Sequence, residues 1–358
     1  MMKDKTLRVA VTGLNSNDNT GPGLGVLRCL LANPDQSRLN IVGLVYDALE
    51  PAIFNEEFCQ YIFLLPYPSV GERAYLERLK SIHKRFPIDV FLPTLDLEIP
   101  IAISAKEILK DLGIATYLPP METFSKRSKS TLCALGDKFN FKVPRTKSIF
   151  EPGQIPDFNS DFVYPYFIKG SYYDAYFVKN PAEALYYFQK IQAKWGLPVL
   201  IQEMVRGIEY DAVTVGDGEG GHFGILPMRK TYITEKGKAW AGISIKDPAL
   251  FKFGEQVISA LKWKGPMELE IMKSNEGELF LLEVNPRFPA WIYLCAECDI
   301  NMPWQVIKLA LGEKVEKVLE YKSGMQFARC ALDYVLPLKP FEELTTHGEI
   351  IREIADDS

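Results

Sequence analysis

The sequence is poor in the residues that build catalytic or metal sites around imidazole or thiolate groups. It contains only three histidines, His83, His222 and His347, and they lie far apart in the 358-residue chain. We therefore expect neither His-based catalysis nor a histidine-rich metal site. The six cysteines are scattered, and the Cys295-Cys298 pair has no second pair or nearby histidine to complete a zinc site. We expect free or buried thiols in a reducing cytoplasm.

Long apolar runs and an excess of positive charge are also missing. No window approaches the roughly 18 uninterrupted apolar residues of a membrane span, so no membrane partner is expected. The N-terminus runs from a few charges into a strand-like segment, which argues against a secretory signal. A formal net charge of −5 argues against a nucleic-acid partner, because such surfaces are usually basic. The expected partners are small molecules.

The first third of the chain alternates strand-like and helix-like segments. "LRVAVTGL" and "NIVGLVYD" predict strands, and "GERAYLERLKSIHKRF" predicts an amphipathic helix. Such alternation predicts a parallel, doubly wound sheet. The double proline Pro119-Pro120 predicts a boundary, so residues 1–118 are predicted to form one α/β domain.

Two features of this domain are candidates for ligand binding. Gly21, Gly23 and Gly25 follow a long polar loop with GxGxG spacing, which differs from the GxGxxG dinucleotide fingerprint. NAD is therefore not expected, although the helix that follows could bind an anion at its N-terminus. Asp96 and Glu98 come at the carboxyl end of a strand. They could bind a substrate amine, or they could be ordinary polar loop residues.

The rest of the chain is rich in hairpins. Residues 121–145 predict a helix, and "YFIKGSYYDAYFV" predicts a hairpin. A helix with Asn180 as N-cap and Pro181 at its first position follows. "GPMELEIMKSNEGELFLLEVNPR" predicts a second hairpin that turns at Asn275 to Gly277.

This second hairpin concentrates acids on one face. Glu268 and Glu270 share a face of the first strand, and Glu283, Asn285 and Arg287 occupy alternate positions of the second. The register is open, so Glu283 is opposite or diagonal to one of the two earlier acids. Carboxylates about 5 Å apart repel by roughly 3 kcal/mol at an effective dielectric of 20. The pattern favours a hard divalent cation such as Mg²⁺ over the alternative of solvated strand residues ending in an Asn-Pro turn.

The hairpin carries a family resemblance. "LLEVNPRF" resembles the metal-binding strand of the ATP-grasp ligases, and "WKGPMELEIMKSNEGELFLLEVNPRF" resembles the same hairpin in carbamoyl-phosphate synthetase-like members. The resemblance covers roughly residues 119–315. It implies an α/β protein in which the doubly wound domain precedes an ATP-grasp fold of two α+β subdomains. These would be a small (lid) subdomain at 119–202 and a large subdomain at 203–335, followed by a C-terminal tail at 336–358.

The resemblance also implies a metal site. Glu270, Glu283 and Asn285 would bind Mg²⁺, for which Mn²⁺ is an expected substitute. Arg287 would contact the transferred phosphoryl group or the substrate. Glu268 lies just outside the usual pattern, and it could be a further metal ligand or a substrate contact.

Two lysines are the implied ATP phosphate contacts. Lys169 stands at the end of an aromatic and β-branched strand, where a lysine needs a nearby anion. Lys129 lies in the helix before "VP", where the family has its other phosphate-contacting lysine. Lys126, Arg127 and Lys138 compete with Lys129 for this role, and a surface position is the alternative for Lys169.

"VLIQEMVRGIEYD" resembles the family's hinge strand. The resemblance places Glu203, Met204 and Val205 at the adenine edge of ATP, and Glu209, after the chain-turning Gly207, at the ribose hydroxyls. The alternative is a plain strand whose two charged residues point outward.

Two further segments each have two alternative roles. "PMRKTYITEKGKAW" carries Arg229, Lys230, Lys236 and Lys238, which could steer phosphates or form a solvated face, and Arg229 is the catalytic candidate because it adjoins the strand. The flap Gly170–Phe177 has one glycine where the family often has several. Either Ser171 and the backbone hold phosphates, or the flap is specialised.

We therefore expect an ADP-forming carboxylate–amine ligase that uses ATP and Mg²⁺ and proceeds through an acyl-phosphate. The substrates would be a small carboxylate and an amine or related nucleophile. One alternative is carbamoyl-phosphate-synthetase-like phosphorylation of bicarbonate or carbamate. The other is a non-catalytic nucleotide-binding module. "FPAWIYLC" is either core or the surface of a homodimer.

Overall fold

The computed structural model describes residues 6–16, 20–156, 162–170, 174–235 and 237–352. In these ranges the chain forms three β-sheets with helices packed against them. The helices of these ranges are all too short or too polar to cross a membrane.

The regular elements are numbered in chain order. The strands are β1 Leu7–Val11, β2 Leu39–Val45, β3 Tyr61–Leu64, β4 Val90–Leu92, β5 Thr146–Ile149, β6 Tyr166–Lys169, β7 Ala175–Val178, β8 Val199–Glu203, β9 Gly207–Asp217, β10 His222–Ile233, β11 Ala239–Ser244, β12 Lys264–Ser274, β13 Leu279–Asn285, β14 Gln326–Ala328 and β15 Glu349–Ile351. The helices are α1 Pro22–Leu31, α2 Pro51–Phe54, α3 Glu72–Arg85, α4 Ile99–Ser104, α5 Lys106–Asp111, α6 Met121–Ser125, α7 Lys129–Phe139, α8 Pro181–Trp195, α9 Pro248–Leu261, α10 Tyr293–Glu297, α11 Met302–Ala310 and α12 Lys339–His347.

The first sheet has the strand order β15-β3-β2-β1-β4, and β1 to β4 run parallel. Its side chains alternate between two cores. Val9 and Val11 join the core that contains Leu27 of α1, whereas Ala10 joins the core that contains Leu79 of α3. Helices therefore cover both faces, and the predicted doubly wound α/β domain is confirmed.

Helix α1 packs closely against the segment 288–295. A Cβ added at Gly25 would lie 2.8 Å from the Ile292 Cγ2 atom, so this contact requires a glycine. Trp291 and Ile292 are buried in the same core as α1. The apolar segment "FPAWIYLC" is thus mainly core in this chain, with Ala290 and Tyr293 half-buried and its other six residues buried.

The second sheet, in the order β5-β8-β6-β7, is antiparallel and carries α8 on one face. The predicted start of α8 is confirmed: Asn180 Oδ1 accepts a hydrogen bond from Glu183 N at 3.0 Å, and Pro181 is the first helical residue. β6 and β7 form the predicted hairpin. Ser171, a flap candidate, lies outside the described residues.

The third sheet is antiparallel, in the order β13-β12-β9-β10-β11-β14. β12 and β13 form the predicted acidic hairpin, whose turn contains Gly277 at φ +85°. One face packs on α9, and the other faces the core shared with α1 and α11. The elements of the ATP-grasp expectation, two sheets of mixed α+β character after the doubly wound domain, are therefore present.

Two details of the chain differ from expectation. The prediction of a single helix over 121–145 is wrong, because Ser128 caps the start of a second helix. The Ser128 hydroxyl accepts a hydrogen bond from Thr131 N at 3.3 Å. This cap places Lys129 at the first position of α7. The predicted tail also has structure, since β15 pairs antiparallel with β3 of the first sheet. The domain limits themselves stay predictions.

Candidate nucleotide and metal site

The acids of the hairpin form rows across the third sheet. Glu270 of β12 lies opposite Glu283 of β13, and Glu268 lies opposite Asn285. On its other side, Glu270 lies opposite Asp211 of β9. Three carboxylates therefore follow one another across three strands. Such neighbours are about 5 Å apart, so the row needs cations to be stable.

Glu268 and its two neighbours in the hairpin differ in how they are satisfied. Glu268 accepts hydrogen bonds from Asn285 Nδ2 (3.0 Å), Arg287 Nη1 (2.8 Å) and Trp291 Nε1 (2.9 Å). Its side chain is only 7% exposed, which leaves little room for a ligand. Its hydrogen bonds instead orient the side chains of Asn285 and Arg287. The side chains of Glu270 and Glu283 are 31% and 35% exposed, so they remain accessible to a ligand.

Two lysines face the open acids. Lys129 Nζ lies 3.7 Å from Glu283 Oε1. Lys169 Nζ donates to Gln202 Oε1 at 2.6 Å and also interacts electrostatically with Lys129 and Glu283. Burial, reinforced by the neighbouring Lys129 ammonium, lowers the pKa of Lys169 to about 8. An anion placed between these lysines and the acid row would raise the pKa of Lys169 again.

The structure separates Lys129 from its three competitors. Lys126 pairs with Glu122 one helical turn earlier, and Lys138 lies over the ring of Phe139. Arg127 lies 3.9 Å from Asp96 in the first domain. Lys129 is the one of the four that pairs with an acid of the hairpin.

The predicted hinge lies between the second and third sheets. The Glu203 carboxylate accepts from Arg145 N (2.8 Å) and Arg145 Nε (2.7 Å), which fixes the end of β8. Met204 and Val205 follow as half-buried linking residues. Gly207 then approaches β12 so closely that a Cβ would lie 2.0 Å from the Lys273 carbonyl oxygen.

Glu209 lies beyond this close approach, on the same face of the sheet as the acid row. Its Oε2 atom is 3.2 Å from the Lys230 ammonium. The same ammonium lies 3.2 Å from Asp211 Oδ1 and 3.8 Å from Glu270 Oε2. Although burial works in the opposite direction, these carboxylates raise the pKa of Lys230 well above its ordinary value. Lys230 is therefore a permanent cation within the cluster.

Arg229, the catalytic candidate of this segment, lies elsewhere. It pairs in register with Tyr210, on the face of the sheet opposite to Lys230, and its side chain is exposed. The structure does not bring Arg229 to the acid row, because successive side chains of a strand point to opposite faces. Lys238 is exposed as well, and Lys236 lies outside the described residues.

Arg287 joins the hairpin to the first domain. Its Nε atom donates to Asp96 Oδ2 at 3.2 Å, while its Nη1 atom donates to Glu268 Oε2 at 2.8 Å. Burial opposes the charge, but Asp96 and Glu268 hold the pKa of Arg287 above its ordinary value. Asp96 therefore reaches the site through Arg287.

Glu98 does not reach the site. It is fully buried and accepts hydrogen bonds from the hydroxyls of Thr12 and Tyr46 and from the backbone N–H groups of Thr94 and Leu95. Both of its carboxylate oxygens accept hydrogen bonds from donors within the first domain. These bonds account for Glu98 without a ligand.

Three participants were not predicted, Asp211, Gln202 and Trp291, and a fourth, Lys230, was predicted only as one of four cations that could steer phosphates. Strand alternation was a usable signal for two of them. Asp211 is two residues after Glu209, and Lys230 is two residues after the buried Met228. The contact of Trp291 with Glu268 depends on the chain path after β13, which no short-range pattern specifies.

The donor set fits a nucleotide-bound Mg²⁺ better than a metal held by protein alone. Within the described ranges, no group of three or more His, Cys, Asp or Glu side chains has the geometry of a metal site. Glu270, Glu283 and the Asn285 amide nevertheless offer hard oxygen donors at one place. Mg²⁺ is commonly held by one or two carboxylates together with phosphates and water, which matches this incomplete set.

Comparisons with known proteins bear on the fold that carries these residues. Residues 198–331 match the family model described as "ATP-grasp in the biosynthetic pathway with Ter operon". The large chain of carbamoyl phosphate synthase from Thermoanaerobacter pseudethanolicus is 27% identical over 153 residues, which cover 37% of this chain and 13% of that protein. The same protein from Caldanaerobacter subterraneus is 28% identical over 149 residues. This chain thus spans only a small part of these relatives.

Solved structures show the same fold over most of the chain. An L-amino acid ligase from Bacillus licheniformis has a TM-score of 0.67 at 16% identity, covering 87% of this chain and 76% of that one. The biotin carboxylase domain of the Hydrogenobacter thermophilus 2-oxoglutarate carboxylase, solved with MgADP and bicarbonate, has a TM-score of 0.69 at 13% identity, covering 89% and 73%. The chain therefore carries the ATP-grasp fold. The comparisons confirm its predicted likeness to the ATP-grasp ligases, a class of ATP-dependent, ADP-forming enzymes. They also confirm its likeness to the large chain of carbamoyl phosphate synthase.

Proposed function

We propose that this chain is an ADP-forming ligase that joins a small carboxylate to an amine or related nucleophile through an acyl-phosphate. The observation that carries the proposal is the row in which Glu270 faces Glu283, both partly exposed, with Lys129 3.7 Å from Glu283. Two open acids beside two lysines suit a ligand that carries both a divalent cation and phosphates.

Each side chain has a distinct task in this proposal. Glu270, Glu283 and Asn285 would hold Mg²⁺, which supplies charge neutralisation to the phosphates when it is bound. Lys129 and Lys169 would bind the phosphate oxygens as point charges. Arg287, held rigid by Asp96 and Glu268, would orient the acyl-phosphate.

The adenosine part of the nucleotide would bind at the hinge. Met204 and Val205, with Glu203, would present backbone groups to adenine. Glu209, whose side chain is 28% exposed, would accept hydrogen bonds from the ribose hydroxyls. The transfer itself then depends mostly on positioning and electrostatic stabilisation, since phosphoryl transfer requires little covalent chemistry from the protein.

A second candidate reaction is phosphorylation of bicarbonate or carbamate. The matches to carbamoyl phosphate synthase large chains favour it. A non-catalytic nucleotide-binding module is the remaining alternative, and the open acid row argues against it, because a scaffold gains nothing from mutually repelling carboxylates. Use of Mn²⁺, a homodimer and a cytoplasmic location stay predictions.

The test measures ADP and phosphate release from ATP and Mg²⁺ with a pool of amino acids, in bicarbonate-depleted buffer and again with bicarbonate. We expect amino-acid-dependent release of both products, matched by formation of one amide per ADP. Release that depends on bicarbonate alone would favour the second reaction. Formation of AMP and pyrophosphate would contradict an acyl-phosphate route, and tight binding without turnover would favour the module.

A further inference from the structure

We propose that Lys230 is a positioning residue that couples recognition of the ribose to the metal site. The inference rests on the proposed function, because it assumes that this cleft binds a magnesium–nucleotide complex. Lys230 contacts Glu209, the ribose acid of the proposal, and Glu270, one of its metal acids. Neither contact was part of any expectation for this residue.

Lys230 contacts one buried carboxylate, which holds it in place, and two partly exposed carboxylates, which it positions. Asp211 is 3% exposed and lies 3.2 Å from the Lys230 ammonium, so it fixes the cation from inside the sheet. Glu209 and Glu270 are 28% and 31% exposed, and each gives one oxygen to Lys230. Asn285 Nδ2 donates to the other oxygen of Glu270 at 3.0 Å.

One ammonium therefore holds two open carboxylates at set positions on neighbouring strands. Without it, Glu209, Asp211 and Glu270 would repel one another, and the two partly exposed acids, Glu209 and Glu270, would turn toward solvent. A lysine has three donors on a compact head, which suits simultaneous contact with three acids. Because the two open acids share this cation, the position of one depends on the position of the other.

The simplest variant has a confounding effect. Lys230→Met removes a positive charge close to the metal acids, and the added negative field would itself favour Mg²⁺. The charge-balanced variant Lys230→Met/Asp211→Asn removes the cation and its buried anchor together. Any change in nucleotide binding by that variant then reports position rather than net charge.

The experiment uses isothermal titration calorimetry with ADP over a series of Mg²⁺ concentrations. We expect the balanced variant to bind MgADP at least tenfold more weakly than wild type, the size of one hydrogen bond to a charged group. The Mg²⁺ concentration for half-maximal binding should rise with it. The matched control is Lys273→Met, which removes a strand lysine paired with Asp247 on the other face of the sheet and should change binding less than about twofold.

A second measurement isolates the ribose coupling. Wild type should bind 2′,3′-dideoxy-ADP more weakly than ADP, since Glu209 loses its partners. In the balanced variant this difference should shrink at least threefold, because Glu209 is no longer held. A purely structural role for Lys230 would lower the melting temperature and leave the ratio between the two nucleotides unchanged.

Each outcome separates this inference from the proposed function. If wild type fails to bind MgADP, the proposed function fails first. If wild type binds and the balanced variant binds within about twofold with an unchanged ratio, only the role of Lys230 is overturned. The pair Lys230→Gln/Asp211→Asn repeats the test with an amide in place of the ammonium. Failure of both variants to fold would assign Lys230 to stability alone and overturn the proposal.

Discussion

The two acidic regions of this protein treat their carboxylates in opposite ways. Glu98 in the first domain is completely buried, and hydroxyl and backbone donors of its own domain surround it. Glu270 and Glu283 face each other with about a third of each side chain open, and only cations and an amide relieve their repulsion. A buried acid with every acceptor used has a structural role. Acids that remain partly exposed and incompletely paired are the ones available to a ligand.

The largest expected effect comes from the open pair. Glu283→Gln should lower ATP turnover at least about 100-fold, because it removes one of the two carboxylates of the proposed metal site. The free energy of unfolding should stay the same or rise, since the change removes the repulsion from Glu270. Phosphate release and chemical denaturation measure the two quantities. Glu276→Gln, in the exposed turn of the same hairpin, is the control. Unaltered turnover in Glu283→Gln would remove Glu283 from the site.

Replacement of Glu98, the fully buried acid, should have the opposite effect: it should lower stability and leave turnover nearly unchanged. Glu98→Gln keeps an oxygen for Thr94 N and Leu95 N, which share Oε1. It places an NH₂ group where Oε2 accepts from the Tyr46 and Tyr75 hydroxyls, so these buried hydroxyls lose their acceptor. We expect the free energy of unfolding to fall by about 2–3 kcal/mol, with turnover per folded molecule close to wild type. Denaturant titration checks the first, with the exposed Glu107→Gln as control. Normal stability combined with loss of amine-dependent turnover would support the amine site predicted at Asp96 and Glu98.

The smallest effect is a pH dependence at Lys169, whose pKa burial lowers to about 8. Above that pH the free protein loses the ammonium that would bind phosphate, so ADP affinity should decline, while it stays constant below about pH 7. Stability of the free protein has the opposite sign. The unfolded chain still holds the proton between pH 8 and the ordinary lysine value, so stability should rise with pH in that window.

Lys169→Arg sharpens this comparison, because a guanidinium stays charged throughout. Calorimetry across the pH range should give a flat ADP affinity for the variant and a declining one for wild type. A decline of equal size in both proteins would show that another group titrates. Thermal denaturation without nucleotide over the same range checks the sign of the stability change.

Short-range pattern accounted for much of this site. The period of two in "MELEIM" and "LLEVNPR" places Glu268, Glu270, Glu283 and Asn285 on one face, and Gly277 marks the turn. The register could not follow from that pattern. The pairing shifts between Glu270 and Ile271, because β13 carries one extra residue there, Leu282, and the alternation of side chains does not reveal such a bulge.

The errors of expectation have similar causes. Arg229 was favoured for its closeness to a strand, but the alternation that buries Met228 also turns Lys230 inward and Arg229 outward. The bond between Arg287 and Asp96 joins residues 191 positions apart. No local periodicity carries information about such contacts, which arise only when whole domains pack.

The pairing of β15 with the edge of β3 has a consequence for biosynthesis. As the ribosome makes the chain from its N-terminus, the parallel strands of the first sheet emerge early, but the partner of β3 is translated only after both other sheets. Until then the β3 edge keeps unpaired backbone groups that could template wrong association. The edge of the first sheet is thus paired only after the strands of the two later sheets have been translated.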